Sequence, residues 1–210
     1  MDLKIDGKVA IVTGASAGVG EAIAREFATA GVKLVLTARG ADRLNATSKK
    51  LHNETGANVV AVPLDVTRAE AGEQLVEEAR MSFGGVDIVV NNAGRAHPGG
   101  LMENDDDAWK SMEDVKLHAM IRLNRAAIPV MRERGWGRIV NMSSVGGIYP
   151  NPKLLISHVL SAAINNLTRG LALEIAQHGI LVNAIALGAI RTENWEQNMI
   201  PKVRQTRPEL

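Results

Sequence analysis

Short apolar runs alternate with longer amphipathic ones along this chain. Val9-Ala10-Ile11-Val12, Leu34-Val35-Leu36, Val59-Val60-Ala61-Val62, Ile88-Val89-Val90, Ile139-Val140 and Ile180-Leu181-Val182 mark strands near 8–13, 33–38, 58–63, 86–91, 137–143 and 180–186. Between them, helix-period patterns predict helices near 18–30, 41–55, 68–83, 105–134 and 153–178. Strands that alternate with helices pair in parallel through right-handed crossovers, so the expected fold is one α/β domain over 1–210, a doubly wound, Rossmann-like parallel sheet. No internal repeat, linker or low-complexity tract interrupts the alternation.

The turn between the first strand and first helix carries the most chemistry. It reads Thr13-Gly14-Ala15-Ser16-Ala17-Gly18-Val19-Gly20. Glycines between a strand and a helix let the backbone approach a pyrophosphate, and the helix N-terminus offers oriented N–H groups and a positive dipole. This context reads as dinucleotide binding; an ordinary tight turn is the plainer alternative.

The spacing of that turn resembles the short-chain dehydrogenase/reductase family, including its 3-oxoacyl-carrier-protein reductases, and later segments resemble it in order. They are Asp65-Val66 after the third strand, Asn91-Asn92-Ala93-Gly94 after the fourth, Ile139-Val140-Asn141-Met142-Ser143-Ser144, Leu167 to Glu174, and Gly179 to Ile185. The resemblance implies that Gly14, Ser16, Ala17, Gly18, Val19 and Gly20 hold the cofactor phosphates and Asp65 and Val66 the adenine, and that Asn92, Ala93 and Gly94 also bind the cofactor. Gly188, Ile190 and Thr192, in Leu187-Gly188-Ala189-Ile190-Arg191-Thr192, resemble the segment that embraces the nicotinamide, with Leu187 where relatives have proline. Ala38-Arg39 ends the second strand where NAD-binding relatives carry an acid. A guanidinium forks onto a 2′-phosphate that a carboxylate would repel, so NADP is the expected cofactor, with Arg39 as a solvated charge the plain alternative.

The catalytic positions depart from the family pattern. Counting on from Ser144, which matches the family's serine that polarises the substrate oxygen, the tyrosine position holds Ser157 and the lysine position Ser161. The asparagine of the preceding helix is replaced by Lys116. A lysine gained at 116 and lost at 161, on neighbouring helices, suggests an ammonium moved across the site; a surface lysine that snorkels is the bland reading. Tyr149-Pro150-Asn151-Pro152-Lys153 imitates the Tyr-x-x-x-Lys motif, but two prolines oppose the helical turn it needs. Tyr149, the only tyrosine, is therefore a pocket wall or surface ring before it is a relocated acid. The five histidines read as surface or interface residues, His158 being turned about 100° from the tyrosine face.

Composition adds exclusions. A net charge of +1 without a basic run longer than a pair gives no footprint for nucleic acid. With no cysteine there is no disulfide or thiolate metal site, and no metal-ligand spacing is present. No apolar stretch would span a membrane, the N-terminus lacks a signal core, and a cytoplasmic protein acting on a small molecule is expected. The resemblance further implies pairing through the two long helices as a homodimer or homotetramer, with Met112, Val115, Met120 and Leu123 serving that seam or the core. It also implies a seventh strand and a substrate-covering loop that this sequence stops short of, leaving the sixth strand as an edge. Three readings stay open: an NADP-dependent oxidoreductase with a rebuilt centre, a dinucleotide-binding sensor or partner subunit without turnover, and a non-redox enzyme using the cofactor as scaffold.

Overall fold

A computed structural model describes residues 3–193 together with 196, 197 and 200. Six parallel strands form one sheet: β1 Val9–Thr13, β2 Lys33–Ala38, β3 Val59–Pro63, β4 Ile88–Asn91, β5 Gly137–Ser144 and β6 Ile180–Leu187. Their order is β3-β2-β1-β4-β5-β6, so the winding reverses between β1 and β4. In such a sheet the crevice for ligands opens at the carboxyl ends of the strands beside that reversal.

Six helices flank the sheet: α1 Gly18–Thr29, α2 Ala41–Thr55, α3 Ala71–Phe83, α4 Asp106–Glu113, α5 Ala119–Glu133 and α6 Leu155–Ile175. One core lies between β1, β4, β5 and β6 and helices α3, α5 and α6, built on Ile11, Val89, Leu75, Leu123, Ile139 and Ile175. The other joins α1 and α2 to the opposite face through Ala24, Leu34, Leu36, Leu44 and Leu51. Each such leucine or isoleucine taken out of water stabilises the fold by about 1.5–3 kcal/mol. Met112, Met120 and Leu123 are fully or almost fully buried, which places them in the core. Among the described residues β6 ends the sheet, and its Leu181 and Ile185 are exposed.

Two elements differ from expectation. The segment near 68–83 is helical only from Ala71, because Asp65 accepts the Thr67 N–H and hydroxyl at 3.0 and 2.9 Å and closes a turn first. The long helix near 105–134 is broken by a π-helical turn, Asp114–His118, between α4 and α5. Such bulges insert a residue and rotate the facing of the next helical turns, and they concentrate at functional sites. Lys116 sits in the middle of this one.

Two buried polar systems fasten the layers. Asn91 of β4 donates at 2.8 Å to both Asn124 of α5 and Asn141 of β5, and Asn141 donates on to Thr168 of α6 at 2.9 Å. At the opposite end of the sheet Asp87, 1% exposed, accepts the Val9 N–H at 2.9 Å and the Arg134 Nε at 3.0 Å, with Lys8 at 3.8 Å. The Lys8 ammonium and the Arg138 guanidinium both lie over the Trp136 ring, each 4.2 Å from its centre.

Candidate active site

The glycine turn is clamped to the end of β4. The buried Thr13 hydroxyl accepts the Asn92 and Ala93 N–H groups, both at 2.9 Å, while the Asn92 amide donates to the Thr13 and Gly14 carbonyls at 2.9 and 3.2 Å. Gly14 has φ +66 and Gly18 φ +57, left-handed values that favour glycine. At Gly20 a Cβ would sit 2.3 Å from the Gly14 carbonyl, so glycine is required by space rather than by φ. Ser16 offers its carbonyl to Thr47 of α2 at 3.4 Å.

Ala17 is the N-cap of α1 and supplies no side-chain cap to the first N–H groups of the helix. With half-buried Val19 beside them and Thr192 packed over Gly18, those groups form a cradle suited to a diphosphate. Gly188 and Ile190 are exposed on the approach to Thr192. Just beyond, Glu193 pairs with Arg43, which ties the segment after β6 to α2.

Val66 is buried at the rim, next to Asp65. The Thr67 backbone N–H, then the Thr67 hydroxyl and the charges of Arg39 and Arg68, hold the Asp65 carboxyl below its ordinary range against a smaller opposing effect of burial. Arg39 itself is exposed at the end of β2.

Across the crevice, β5 delivers Ser143 and Ser144. Ser143 points back into the core and donates to the Ser161 carbonyl at 3.1 Å. The Ser144 hydroxyl accepts the Gly146 N–H at 3.1 Å and caps a 3-10 turn, Val145–Gly147. Ser157 and Ser161 are buried on α6, one turn apart. The Ser157 hydroxyl accepts the His97 N–H at 2.7 Å, and Ser161 donates to the Ser157 carbonyl at 2.8 Å. Lys116 reaches the same carbonyl: its Nζ lies 3.5 Å away, and its stem crosses Gly94. Burial pushes the Lys116 ammonium below its ordinary pKa, and among the described residues no carboxylate pairs with it.

Tyr149 is 77% exposed, and α6 begins only at Leu155, so Tyr149 and Lys153 share no helical face. Among the described residues no cluster of three or more His, Asp or Glu is arranged for a metal ion, and no helix is long and apolar enough to cross a membrane.

The sequence model of the short chain dehydrogenase family matches residues 8–201. The chain belongs to the short-chain dehydrogenase family. An uncharacterized oxidoreductase of Staphylococcus saprophyticus is 36% identical over 190 residues, spanning 90% of this chain and 81% of that protein. Among solved structures, L-sorbose reductase from Gluconobacter frateurii, complexed with NADPH and L-sorbose, superposes with a TM-score of 0.92 at 36% identity, covering 100% of this chain and 84% of that one. A short-chain dehydrogenase from Streptomyces avermitilis gives a TM-score of 0.82 at 36% identity, covering 89% and 68%.

The structure brings Lys116, Ser157 and Ser161 together around one carbonyl, with Ser144 at the end of the neighbouring strand. It leaves Tyr149 outside that group. It also adds two histidines that the sequence pattern reads as surface or interface residues. The His97 backbone holds the Ser157 hydroxyl, and its ring meets Asn104 at 2.8 Å. His158 packs its ring on Gly146 and accepts the Asn151 N–H at 2.7 Å. The signal available for His158 was the pair Gly146-Gly147 just after the catalytic-type serine, which marks a place where another group comes close.

Proposed function

We propose that this chain is an NADP-dependent oxidoreductase that interconverts a carbonyl and an alcohol, with Lys116 moving the proton that a tyrosine moves in relatives. The observation that carries this reading is the Lys116 Nζ at 3.5 Å from the Ser157 carbonyl, at the sequence position of the missing tyrosine. When bound, the reduced nicotinamide supplies a hydride to the carbonyl carbon. The Ser144 hydroxyl can donate to the substrate oxygen and orient it. The Lys116 ammonium delivers a proton to that oxygen, and solvent restores it. Burial without a carboxylate partner favours this role, because it makes the ammonium a readier proton donor than an exposed lysine.

The cradle at α1 and the exposed Arg39 support NADP, as does the NADPH in the sorbose reductase complex. Arg39→Ala is expected to weaken NADPH binding by about 10- to 100-fold, the worth of one charge-assisted contact, and to leave NADH binding unchanged. Fluorescence titration with both cofactors checks this; equal effects on the two would remove Arg39 from phosphate recognition.

A second reading is favoured by one observation. The Ser157 hydroxyl, which accepts the His97 N–H, is a far weaker acid than a tyrosine phenol, and the Ser161 hydroxyl donates within the helix and carries no charge, so neither replaces a tyrosine or lysine. If Lys116 does not act, the protein binds dinucleotide without turning over, as a sensor or partner subunit. Mixing the NADPH-loaded protein with ketones, ketoses and 3-oxoacyl thioesters separates the two readings. For assembly, we infer pairing of copies through α5 and α6, where Val159 and Leu173 are exposed.

A further inference from the structure

His158 lies in the first turn of α6, its N–H bonded to the Leu154 carbonyl at 3.1 Å. Its imidazole touches the loop after β5 at both ends. At the start, the ring lies flat against Gly146, where an added Cβ would sit 2.1 Å from the ring Cδ2. At the far end, its Nδ1 accepts the Asn151 N–H at 2.7 Å. Between these points the loop closes on itself, with the Ile148 and Tyr149 N–H groups both bonded to the Val145 carbonyl at 3.0 and 2.9 Å. The Ser144 hydroxyl holds the Gly146 N–H, so the imidazole, the loop and the catalytic-type serine form one connected unit.

We propose that neutral His158 latches the 145–151 loop beside the reaction centre, and that protonating it releases the loop and weakens substrate binding. The hydrogen bond to Asn151 needs a lone pair on Nδ1, which fixes the neutral ring with its proton on Nε2. An imidazolium has N–H on both nitrogens, and its Nδ1–H would face the Asn151 N–H, donor against donor. The latch therefore exists only in the neutral form.

The surroundings hold the ring in that form. Lys116 faces it from the π-helical turn. From the loop, the only titratable group is the exposed Tyr149 phenol, and the first turn of α6 carries none besides His158 itself. In the flanking segments, Lys153 is exposed before α6, and the 95–100 loop brings Arg95 and His97, the latter held by Asn104. No carboxylate bonds to the ring among the described residues. Burial first, then the Lys116 charge, hold the His158 pKa below its ordinary value. The N-terminal end of α6 disfavours a cation in the same direction. The loop is thus latched at neutral pH and released on acidification below the ordinary histidine range.

His158 is a positioning residue here. The loop carries Ile148 and Tyr149, two large exposed side chains a few residues from Ser144, which suits a wall against the substrate. The effect on turnover rests on the oxidoreductase reading above; the latch does not.

Because Tyr149 is the only tyrosine, biosynthetic 3-fluorotyrosine gives one fluorine resonance, on the loop itself. Titrated from about pH 8 to about pH 5, the range where histidines change charge, the wild-type resonance is expected to shift with a midpoint below 6.5, the ordinary histidine value. His158→Asn, whose amide oxygen accepts the Asn151 N–H and takes no proton, is expected to hold the neutral-pH resonance throughout. His158→Ala is expected to show the acid-form resonance already at about pH 8. A wild-type resonance that does not move, or that moves equally in His158→Asn, overturns the latch. If the protein reduces a carbonyl, the same transition raises KM with little change in kcat. If it never oxidises NADPH, the fluorine result still decides the latch, so the two failures are told apart.

Discussion

Lys116→Met is expected to slow carbonyl reduction by about 10²–10⁴-fold, the usual worth of a positioned acid–base group, while NADPH binds as before. Methionine keeps the apolar stem that crosses Gly94 and deletes only the ammonium. The loss should appear in kcat and kcat/KM alike, because the proton is transferred only as the carbonyl oxygen gains charge. The pH dependence has a definite sign. A donor must be protonated, and burial sets the folded-state pKa of Lys116 below 10.5. Reduction is therefore fast below that lowered pKa and falls as pH rises through it; in Lys116→Met that limb disappears. Stopped-flow reduction across pH, with both proteins loaded with NADPH, checks this. An unchanged rate would return Lys116 to a role in packing.

Asp87→Ala should produce the largest loss of stability. Its carboxylate is 1% exposed and accepts from a backbone N–H and from the Arg134 fork, with the Lys8 ammonium nearby. Alanine leaves the Val9 N–H at the start of β1 without its partner and two cations facing each other across the gap. Removing one member of a buried charged group costs about 3–5 kcal/mol. For a domain of this size that lowers Tm by roughly 6–20 °C. Thermal unfolding followed by circular dichroism measures it. A shift within a degree or two would show that water satisfies these groups as well as Asp87 does.

The sheet and helices were legible because apolar runs and glycine turns report directly on burial and chain reversal. All six strands fall where the pattern put them, and so do the helical segments, apart from the later start at Ala71 and the break at Asp114–His118. The π-helical turn at Lys116 was not legible: one inserted residue barely changes the hydrophobic period, and Met112 and Met120 stay on the buried side of it. The glycine turn before α1 was readable because Gly14, Gly18 and Gly20 are required by backbone geometry, which leaves a mark in the sequence.

The proposed catalytic side was readable only as departures from the pattern of the family. Counting placed serines where relatives have tyrosine and lysine, and singled out Lys116. It could not show that the Lys116 ammonium meets the Ser157 carbonyl, because that contact joins residues 41 apart in sequence. His158 was passed over for a related reason. A helical angle says which way a side chain leaves its helix, not which loop is folded against it. Dismissing Tyr149-Pro150-Asn151-Pro152-Lys153 as a helical motif, by contrast, needed only the two prolines, and α6 does begin after them.

The most direct test of the central claim is single-turnover mixing of NADPH-loaded protein with a panel of ketones, ketoses and 3-oxoacyl thioesters. The account predicts that at least one of them oxidises the bound NADPH, and that Lys116→Met, equally loaded, does so about 10²–10⁴-fold more slowly. Tight NADPH binding without oxidation by any of them would contradict it and leave a dinucleotide-binding protein that performs no redox turnover.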